Sequence, residues 1–545
     1  MAYEDIFLYL GAFGPYQRYI YFLLCLTNIS CALHKLAGVF LQAKIDHRCS
    51  LPFESNNATY QELPRELYNM TYPWDTRLKA WSSCQRLDGD FSDEYFINNL
   101  PSNHSVYCDN GWIYDTTTYQ SSTVIEWDLV CDKAWLRATA DSMFMLGDAL
   151  GSVSFGFLSD KFGRRPIFFV ALTMQLVAGF LVAISPTYLC FMLSRFLVGI
   201  TASGMFLVAF VIALEMVAPS KRVMAGIPCQ LFFTAGYIFV TAFSYFINNW
   251  RLLQVAFTMP ALFFLSYWWI IPESARWLLS NGREEEGKAV ILKVARKNQV
   301  DIPKDVINGL MHQEDSNGNI FPQEQIKKPS FLDLLKYPVL RRRAFYIFFI
   351  WFVNNSTYYG LSWSTSDLGG NNYLNFLISG AVEIPAYIFL LLTLNRCGRK
   401  SILCGSMLAG GAALLLTIAV PTEEKWLIIT LAMVGKLAVT ASYGTIYIVT
   451  AEQFPTVIRN VALGASSTCA RAGGITAPYI NLLADVWKSL PLLVFGGLIT
   501  IGGFLALQLP ETANKKLPDT FEEGEAFDLS ISEEASEVQI EESKK

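Results

Sequence analysis

The sequence predicts an all-α integral membrane protein: twelve transmembrane helices in a 6+6 arrangement, with a large extracellular loop between helices 1 and 2. Three observations predict it. The 545 residues are 52% hydrophobic and only 16% charged, with mean hydropathy +0.32, too apolar for a soluble chain. Apolar runs of roughly 20 residues, the length that crosses a hydrocarbon core, recur along the whole chain. Three short punctuation motifs also occur twice, at nearly one offset.

The apolar runs fall at about 18–43, 135–159, 166–185, 187–217, 223–247, 250–271, 343–363, 373–394, 400–420, 426–450, 457–483 and 490–509. Residues 1–17 include Glu4 and Asp5 and lack the basic start of a secretory signal, so they read as a cytoplasmic N-terminus. Lys161, Arg164, Arg165, Lys221, Arg222, Arg396, Arg399, Lys400 and Arg459 fall between even and odd runs, on one side. Segment 272–342 ends on that same side in Arg341-Arg342-Arg343. An excess of Lys and Arg marks the cytoplasmic face, which puts both termini inside. The chain is expected to be a multi-pass protein of the plasma membrane.

The loop at 44–134 then lies outside. It holds Asn-x-Ser/Thr acceptors at Asn57, Asn69 and Asn103, and four of the 11 cysteines, Cys49, Cys84, Cys108 and Cys131. Glycans and disulfides both belong to an oxidising, extracytoplasmic compartment. Four cysteines allow three pairings, and the spacing does not choose among them. Acceptors at Asn28, Asn354 and Asn355 sit within predicted spans and are discounted. The net charge of −5 owes much to the acidic cytoplasmic tail at 510–545, whose Glu-rich end reads as disordered.

The repeat is carried by "GFLSDKFGRR" and "LLTLNRCGRK", "EMVAPSKR" and "EQFPTVIR", and "PES" and "PET". The steps from Asp160 to Asn395, from Glu215 to Glu452 and from Pro272 to Pro510 are nearly equal. One offset for three motifs means a duplicated six-span unit in parallel orientation, the plan in which two halves rock about a central cavity. The halves are 18–271 and 343–509, joined by a cytoplasmic linker at 272–342. Within it, "PESARWLLSNGREEEGKAVILKVARK" reads as amphipathic helix.

These motifs carry a resemblance. "GFLSDKFGRR" is similar to the Gly-x-x-x-Asp-(Arg/Lys)-x-Gly-Arg-Arg signature of the major facilitator superfamily. "STVIEWDLVCD" at the end of the outer loop, "PESARWLL" at 272–279 and "LPETANKKLPDT" at 509–520 resemble the organic cation, carnitine and organic anion transporter family within it. The resemblance spans the chain to about residue 524. It implies alternating access, and at the cytoplasmic helix ends a gating set of Asp160, Arg164, Glu215, Arg222, Glu273, Glu452, Arg459 and Glu511. Asp160 would accept charge-assisted bonds from Arg164 and face a helix N-terminus of the other half, where a carboxylate is favoured. Asn395 in its place predicts a weaker lock in the second half. Glu215 with Arg222, and Glu452 with Arg459, lie seven apart at cytoplasmic helix ends and would pair or gate with Glu273 and Glu511.

Inside the spans, away from their ends, the charged residues are few: Lys35, Asp141, Asp148, Arg195, Glu383, Lys436 and Arg471. A charge at mid-bilayer costs about 2.5–3.5 kcal/mol on insertion scales, so each faces a partner or a cavity. For Arg195 and Lys436 a structural ion pair and a functional role are both open. Glu383, in "SGAVEIPAY", and Arg471, in "STCARAGGITAPYINLL", are the leading pair. "VEIPAY" resembles the cation and carnitine branches, and Tyr387 stands where anion branches commonly carry Lys. Arg471, conversely, stands where cation members typically carry Asp, and resembles carnitine and anion members. Glu383 would then attract an ammonium while Arg471 forks onto a carboxylate, which describes a carnitine-like zwitterion. The alternative is that the two neutralise one another.

Trp351, Tyr358, Tyr359 and Tyr447 offer aromatic faces that can box a quaternary ammonium. Gln230, Tyr237 and Lys35 are further candidates. The sequence holds no Gly-x-x-x-x-Gly-Lys-Ser/Thr phosphate loop, no His-Glu-x-x-His and no nucleophile motif, so it predicts neither an enzyme nor a cofactor or metal. The partners it implies are a small organic cation or zwitterion and the lipid bilayer, with no nucleic acid. An organic anion exchanger is the second reading, and a receptor or adhesion protein on a carrier scaffold the third.

Overall fold

The computed structural model describes residues 6–527 except 56–57, 77–79, 90, 92–94, 97–103, 219–220, 304–305, 307–330, 367, 395, 422–423, 514 and 516–517. The predicted acceptors Asn57 and Asn103, the motif residue Asn395, the side chain of Arg222 and the tail after residue 527 lie outside the described set.

Helices occupy all twelve predicted intervals. The first half has α1 (Pro15–Lys35), α2 (Ala134–Phe162), α3 (Arg164–Ala183), α4 (Tyr188–Glu215), α5 (Arg222–Phe246) and α6 (Trp250–Thr258 with Pro260–Leu265). The second has α7 (Pro338–Trp363), α8 (Asn372–Ala381 with Glu383–Thr393), α9 (Arg399–Leu416), α10 (Lys425–Gln453), α11 (Arg459–Asn481) and α12 (Leu490–Ala506). Nine stretches among the described residues are long and apolar enough to cross a membrane; α7, α11 and α12 are the helices outside that set. The basic start and Asn354-Asn355 make α7 more polar, Arg471 and several Ser and Thr do the same for α11, and α12 has only 17 residues.

Local chemistry explains the helix ends. Pro15 and Pro338 open α1 and α7, where a missing N–H costs nothing. Thr187, Asn249 and Asn371 accept backbone N–H bonds at the starts of α4, α6 and α8. Helix α8 breaks at Val382 because Pro385 cannot donate to the carbonyl four residues back and its ring crowds it. Glu383 sits in that break.

The repeat survives in the packing. Gly236 and Gly473, separated by the same step as Glu215 and Glu452, each press onto a neighbouring helix backbone. An added Cβ would lie 2.8 Å from the Ile29 carbonyl at the first and 2.1 Å from that of Phe352 at the second. The step from Ile29 to Phe352 equals that from Pro15 to Pro338. It exceeds the glycine step by nearly the length of the loop inserted after α1.

That loop is a small disulfide-bonded unit of three two-stranded pairs. His47–Cys49 (β1) pairs with Trp112–Tyr114 (β6), Trp74–Asp75 (β2) with Ala80–Trp81 (β3), and Gln85–Leu87 (β4) with Ser105–Tyr107 (β5). Of the three possible pairings, the structure shows Cys49–Cys108 and Cys84–Cys131. A buried Arg48–Glu54 pair at 2.6 Å fastens its core, and Asn69 is exposed. The loop's last motif ties it to the helices: Glu126 accepts from the Trp250 indole at 2.9 Å and pairs with Arg251, while Trp127 packs on Trp250 and Phe191.

The halves meet from mid-helix to the face bearing this loop. Lys44 reaches Asp485 at 2.7 Å, Ser142 donates to the Ile475 carbonyl at 2.8 Å, Thr139 meets Tyr479 at 3.2 Å, and Phe40 stacks on Tyr373. At the opposite, linker face each half is strapped by its own C-terminal extension. Asn298, ending the helix Glu284–Asn298, accepts from Tyr16 N at 2.9 Å at the start of α1. Glu525 accepts from Val339 N at 2.9 Å and Leu340 N at 3.1 Å at the start of α7.

Candidate functional site

Two buried ionic clusters lie at the seam between the halves, level with the middles of α2, α10 and α11. In the first, Asp148 of α2 binds Lys35 of α1 at 2.7 Å and Arg471 of α11 at 3.4 Å. Arg471 also donates to the Ser467 hydroxyl at 2.6 Å and to the Asp148 carbonyl at 3.5 Å. Two cations share one carboxylate, so this cluster carries one surplus positive charge. Arg471 is its open member, with 22% of its side chain exposed against 5% for Asp148. Tyr359, Tyr443 and Tyr447 are its electrostatic neighbours.

In the second cluster Glu383 is fully buried and both of its oxygens are engaged. Oε2 accepts from Thr234 of α5 at 2.8 Å, Oε1 accepts from Tyr358 at 2.6 Å, and Lys436 of α10 sits 3.3 Å from Oε1. The Lys436 ammonium lies 3.3 Å from the centroid of the Tyr358 ring and donates to Ser362. A buried polar group needs partners to offset its desolvation, and here every one has them. This pair is electrically neutral.

The structure therefore separates the two leading sequence candidates. Arg471 is balanced by Asp148 and Glu383 by Lys436, rather than each by the other. Lys436 thus has an ion-pair partner, and so has Arg195, which pairs with Asp141 at 3.4 Å and donates to the His34 carbonyl at 3.1 Å. Lys35 joins the Arg471 cluster as a ligand of Asp148.

The aromatic candidates also sort. Trp351 is fully buried, donates to Thr450 at 2.9 Å, and backs Tyr447 at a centroid distance of 4.4 Å, so it positions a neighbour. Tyr358 belongs to the Glu383 cluster, and its ring stacks on Tyr443 at 5.8 Å. Tyr237 donates to Ser379 at 2.9 Å and fastens α5 to α8, while Gln230 is half-buried on α5. Tyr447 is 45% exposed and Tyr443 partly so, beside Arg471. Sequence reasoning missed Tyr443, Thr234 and the central place of Asp148. Tyr443 stands four residues before Tyr447, on the same helix face, which was the available signal.

At the linker face the duplicated motifs build duplicated clusters, wired differently from the sequence expectation. Glu273 accepts from Arg164 N at 3.0 Å and Arg165 N at 3.2 Å; Glu511 accepts from Arg399 N at 2.9 Å and Lys400 N at 3.1 Å. The two glutamates thus seat carboxylates on the N-termini of α3 and α9, where unpaired N–H groups and the helix dipole favour them. Gly163 and Gly398, at φ 107° and 83°, leave them room: an added Cβ would lie 2.6 Å from each carboxylate. Glu215 binds Arg164 at 3.4 Å and Glu452 binds Arg399 at 3.4 Å. Arg459 has no ion pair among the described residues, because Arg399 occupies Glu452. Asp160 binds Arg164 of its own half at 2.7 Å and is 72% exposed.

This helical fold, with charges buried at a two-half seam and paired clusters at one face, is the fold of solved carriers of the major facilitator superfamily. An inward-open, partially occluded form of the xylose transporter XylE from E. coli superposes at TM-score 0.59 and 15% identity, over 92% of this chain and 100% of that one. The same transporter bound to 6-bromo-6-deoxy-D-glucose gives 0.56 at 16% identity, over 92% and 98%. Residues 92–522 match the model of the family described as "Sugar (and other) transporter".

Relatives narrow the placement. The chain is 52% identical over 531 residues to the organic cation transporter protein of Drosophila melanogaster, covering 97% of this chain and 95% of that one. It is 50% identical to the organic cation transporter-like protein of the same fly, covering 97% and 93%. It is 35% identical to solute carrier family 22 member 7 of Sus scrofa, covering 96% of both. The chain belongs to the organic cation transporter family of the major facilitator superfamily and is a multi-pass membrane transporter.

Proposed function

We propose that the chain moves small organic cations or zwitterions of carnitine-like chemistry by alternating access, with Arg471 as the carboxylate contact. The carrying observation is the Arg471 guanidinium. Its side chain is 22% exposed, has Tyr443 and Tyr447 among its electrostatic neighbours, and shares its only ion-pair carboxylate, among the described residues, with Lys35. A substrate carboxylate completes that charge balance, and the tyrosine faces receive its ammonium. Trp351 and Tyr358 support these faces from behind.

In this reading the halves at 18–271 and 343–509 cross the bilayer twelve times between them, in the plasma membrane, with both termini and the 272–342 linker cytoplasmic. Asn57, Asn69 and Asn103 carry glycans outside. Contacts from mid-helix to the loop face, with the gating clusters closed within each half, correspond to the inward-open state. Asp160, exposed here, is then free to meet the second half when the linker face closes, and Arg459 and Arg222 join that set.

An organic anion exchanger is the second reading, favoured by the surplus positive charge and by the full engagement of Glu383. Uptake of labelled carnitine, a permanently cationic compound and a dicarboxylate by cells expressing the wild type, Arg471→Asp and Glu383→Gln separates the two. Dominant carnitine uptake, lost in Arg471→Asp with the cation retained or gained, supports the zwitterion reading. Uptake of the dicarboxylate alone, unchanged in Glu383→Gln, replaces it. Absence of saturable uptake across broad panels points instead to a receptor on a carrier scaffold.

A further inference from the structure

We propose that the first two turns of α7 form a binding site for the headgroup of an anionic phospholipid in the leaflet at the linker face. A groove of about 470 Å³ opens there, lined by Pro338, Val339, Arg341, Arg342, Phe345 and Tyr346. Arg341 and Arg342 are exposed, and among the described residues Arg341 reaches only the Leu335 carbonyl at 3.5 Å. One turn further in, Phe345 is 61% exposed. The charges end at Arg343, and the residues that follow to Ser366 include no Asp, Glu, Lys or Arg. Two guanidiniums therefore stand where headgroups lie, and an aromatic ring stands where acyl chains begin. A guanidinium forks onto phosphate oxygens, and each basic residue at an anionic membrane surface adds to the attraction.

The first half repeats the arrangement at its own first helix. Arg18 follows Pro15 by three residues, as Arg341 follows Pro338, and Tyr19 and Phe22 beside it are 50% and 51% exposed. The other candidate occupant is the acidic tail, which leaves the described chain at Phe527, next to Arg343. A Glu-rich peptide would cover the arginines and leave Phe345 bare, whereas a phospholipid covers both, so the observations favour lipid.

Thermal unfolding of the purified full-length chain, with added phosphatidylglycerol, phosphatidylcholine or inorganic phosphate, tests this. The expected result is a rise in midpoint with phosphatidylglycerol only. It should be lost in Arg341→Gln/Arg342→Gln, largely kept in Arg341→Lys/Arg342→Lys, and kept in a chain ending at Phe527. An equal rise in the glutamine variant, or with inorganic phosphate, overturns the site. A rise that appears only after the tail is removed assigns the groove to the tail instead. If the glutamine variant cannot be purified, motional restriction of spin-labelled phosphatidylglycerol in phosphatidylcholine vesicles, compared between the wild type and the lysine variant with salt added, replaces it. Restriction that is equal for labelled phosphatidylcholine and unaffected by salt overturns the proposal.

Discussion

Replacing Glu383 by Gln removes one charge and little else, because glutamine keeps the side-chain shape and an oxygen for Tyr358 or Thr234. What it leaves is Lys436, 1% exposed, with its only carboxylate partner among the described residues gone. Coulomb's law at 3.3 Å, with an effective dielectric near 20, gives about 5 kcal/mol for the pair. Breaking a buried pair from one side costs about 3–5 kcal/mol, because the orphaned charge stays desolvated. Glu383→Gln should therefore lose about 3–5 kcal/mol of stability. Adding Lys436→Met removes the orphan and should recover most of that, to within about 1 kcal/mol of the wild type. Labelling of buried thiols on unfolding gives the readout, since Cys25, Cys31, Cys229 and Cys404 are free and buried. A double variant as unstable as Glu383→Gln alone would refute the claim that Lys436 is the group Glu383 neutralises.

Glu511→Ala and Glu273→Ala each uncap a helix N-terminus and should cost about 1 kcal/mol, read by the same thiol labelling, with Asp in place of Glu recovering part of it. Loss of either disulfide, spanning 59 or 47 residues, should destabilise the loop by about 4 kcal/mol and show as protease cleavage within 44–134 on intact cells. Burial holds the His47 imidazole below its ordinary value. The unfolded loop thus takes up the proton first, and loop stability should fall as pH drops below about 6.5. Protease resistance measured across that range should lose part of its pH dependence in His47→Gln. Gly473→Val should drive α11 off the Phe352 carbonyl, 2.1 Å from an added Cβ, and lower the yield of folded protein.

What the sequence made legible was whatever repeats or follows a period. Apolar length placed the helices, and the nearly constant step between paired motifs announced linker-face clusters that are indeed duplicated. Less legible was the wiring. Seven charged residues away from the span ends could be enumerated, but Asp148, Lys35 and Arg471 come from three helices and two halves, and no spacing along the chain encodes that meeting. Glu273 and Glu511 were recognisable as motif residues, yet their partners are backbone N–H groups, which every residue but proline possesses and no side-chain pattern reveals. The break at Val382 was the exception in reach, since Pro385 two residues after Glu383 is enough to place that carboxylate at a discontinuity.

The two straps give the molecule an internal division of labour. Asn298 ties the first half to itself and Glu525 the second, so the start of each half's first helix is covered by that half's own chain. Under the proposed alternating access, a change of shape draws on the seam, where the contacts include aromatic stacks, Lys44 with Asp485, Ser142 with a carbonyl, Thr234 with Glu383, Tyr237 with Ser379 and the shared Asp148 carboxylate. The contacts that brace each half and the contacts that join them are written in different residues, so a substitution at the seam alters the joint without touching either strap.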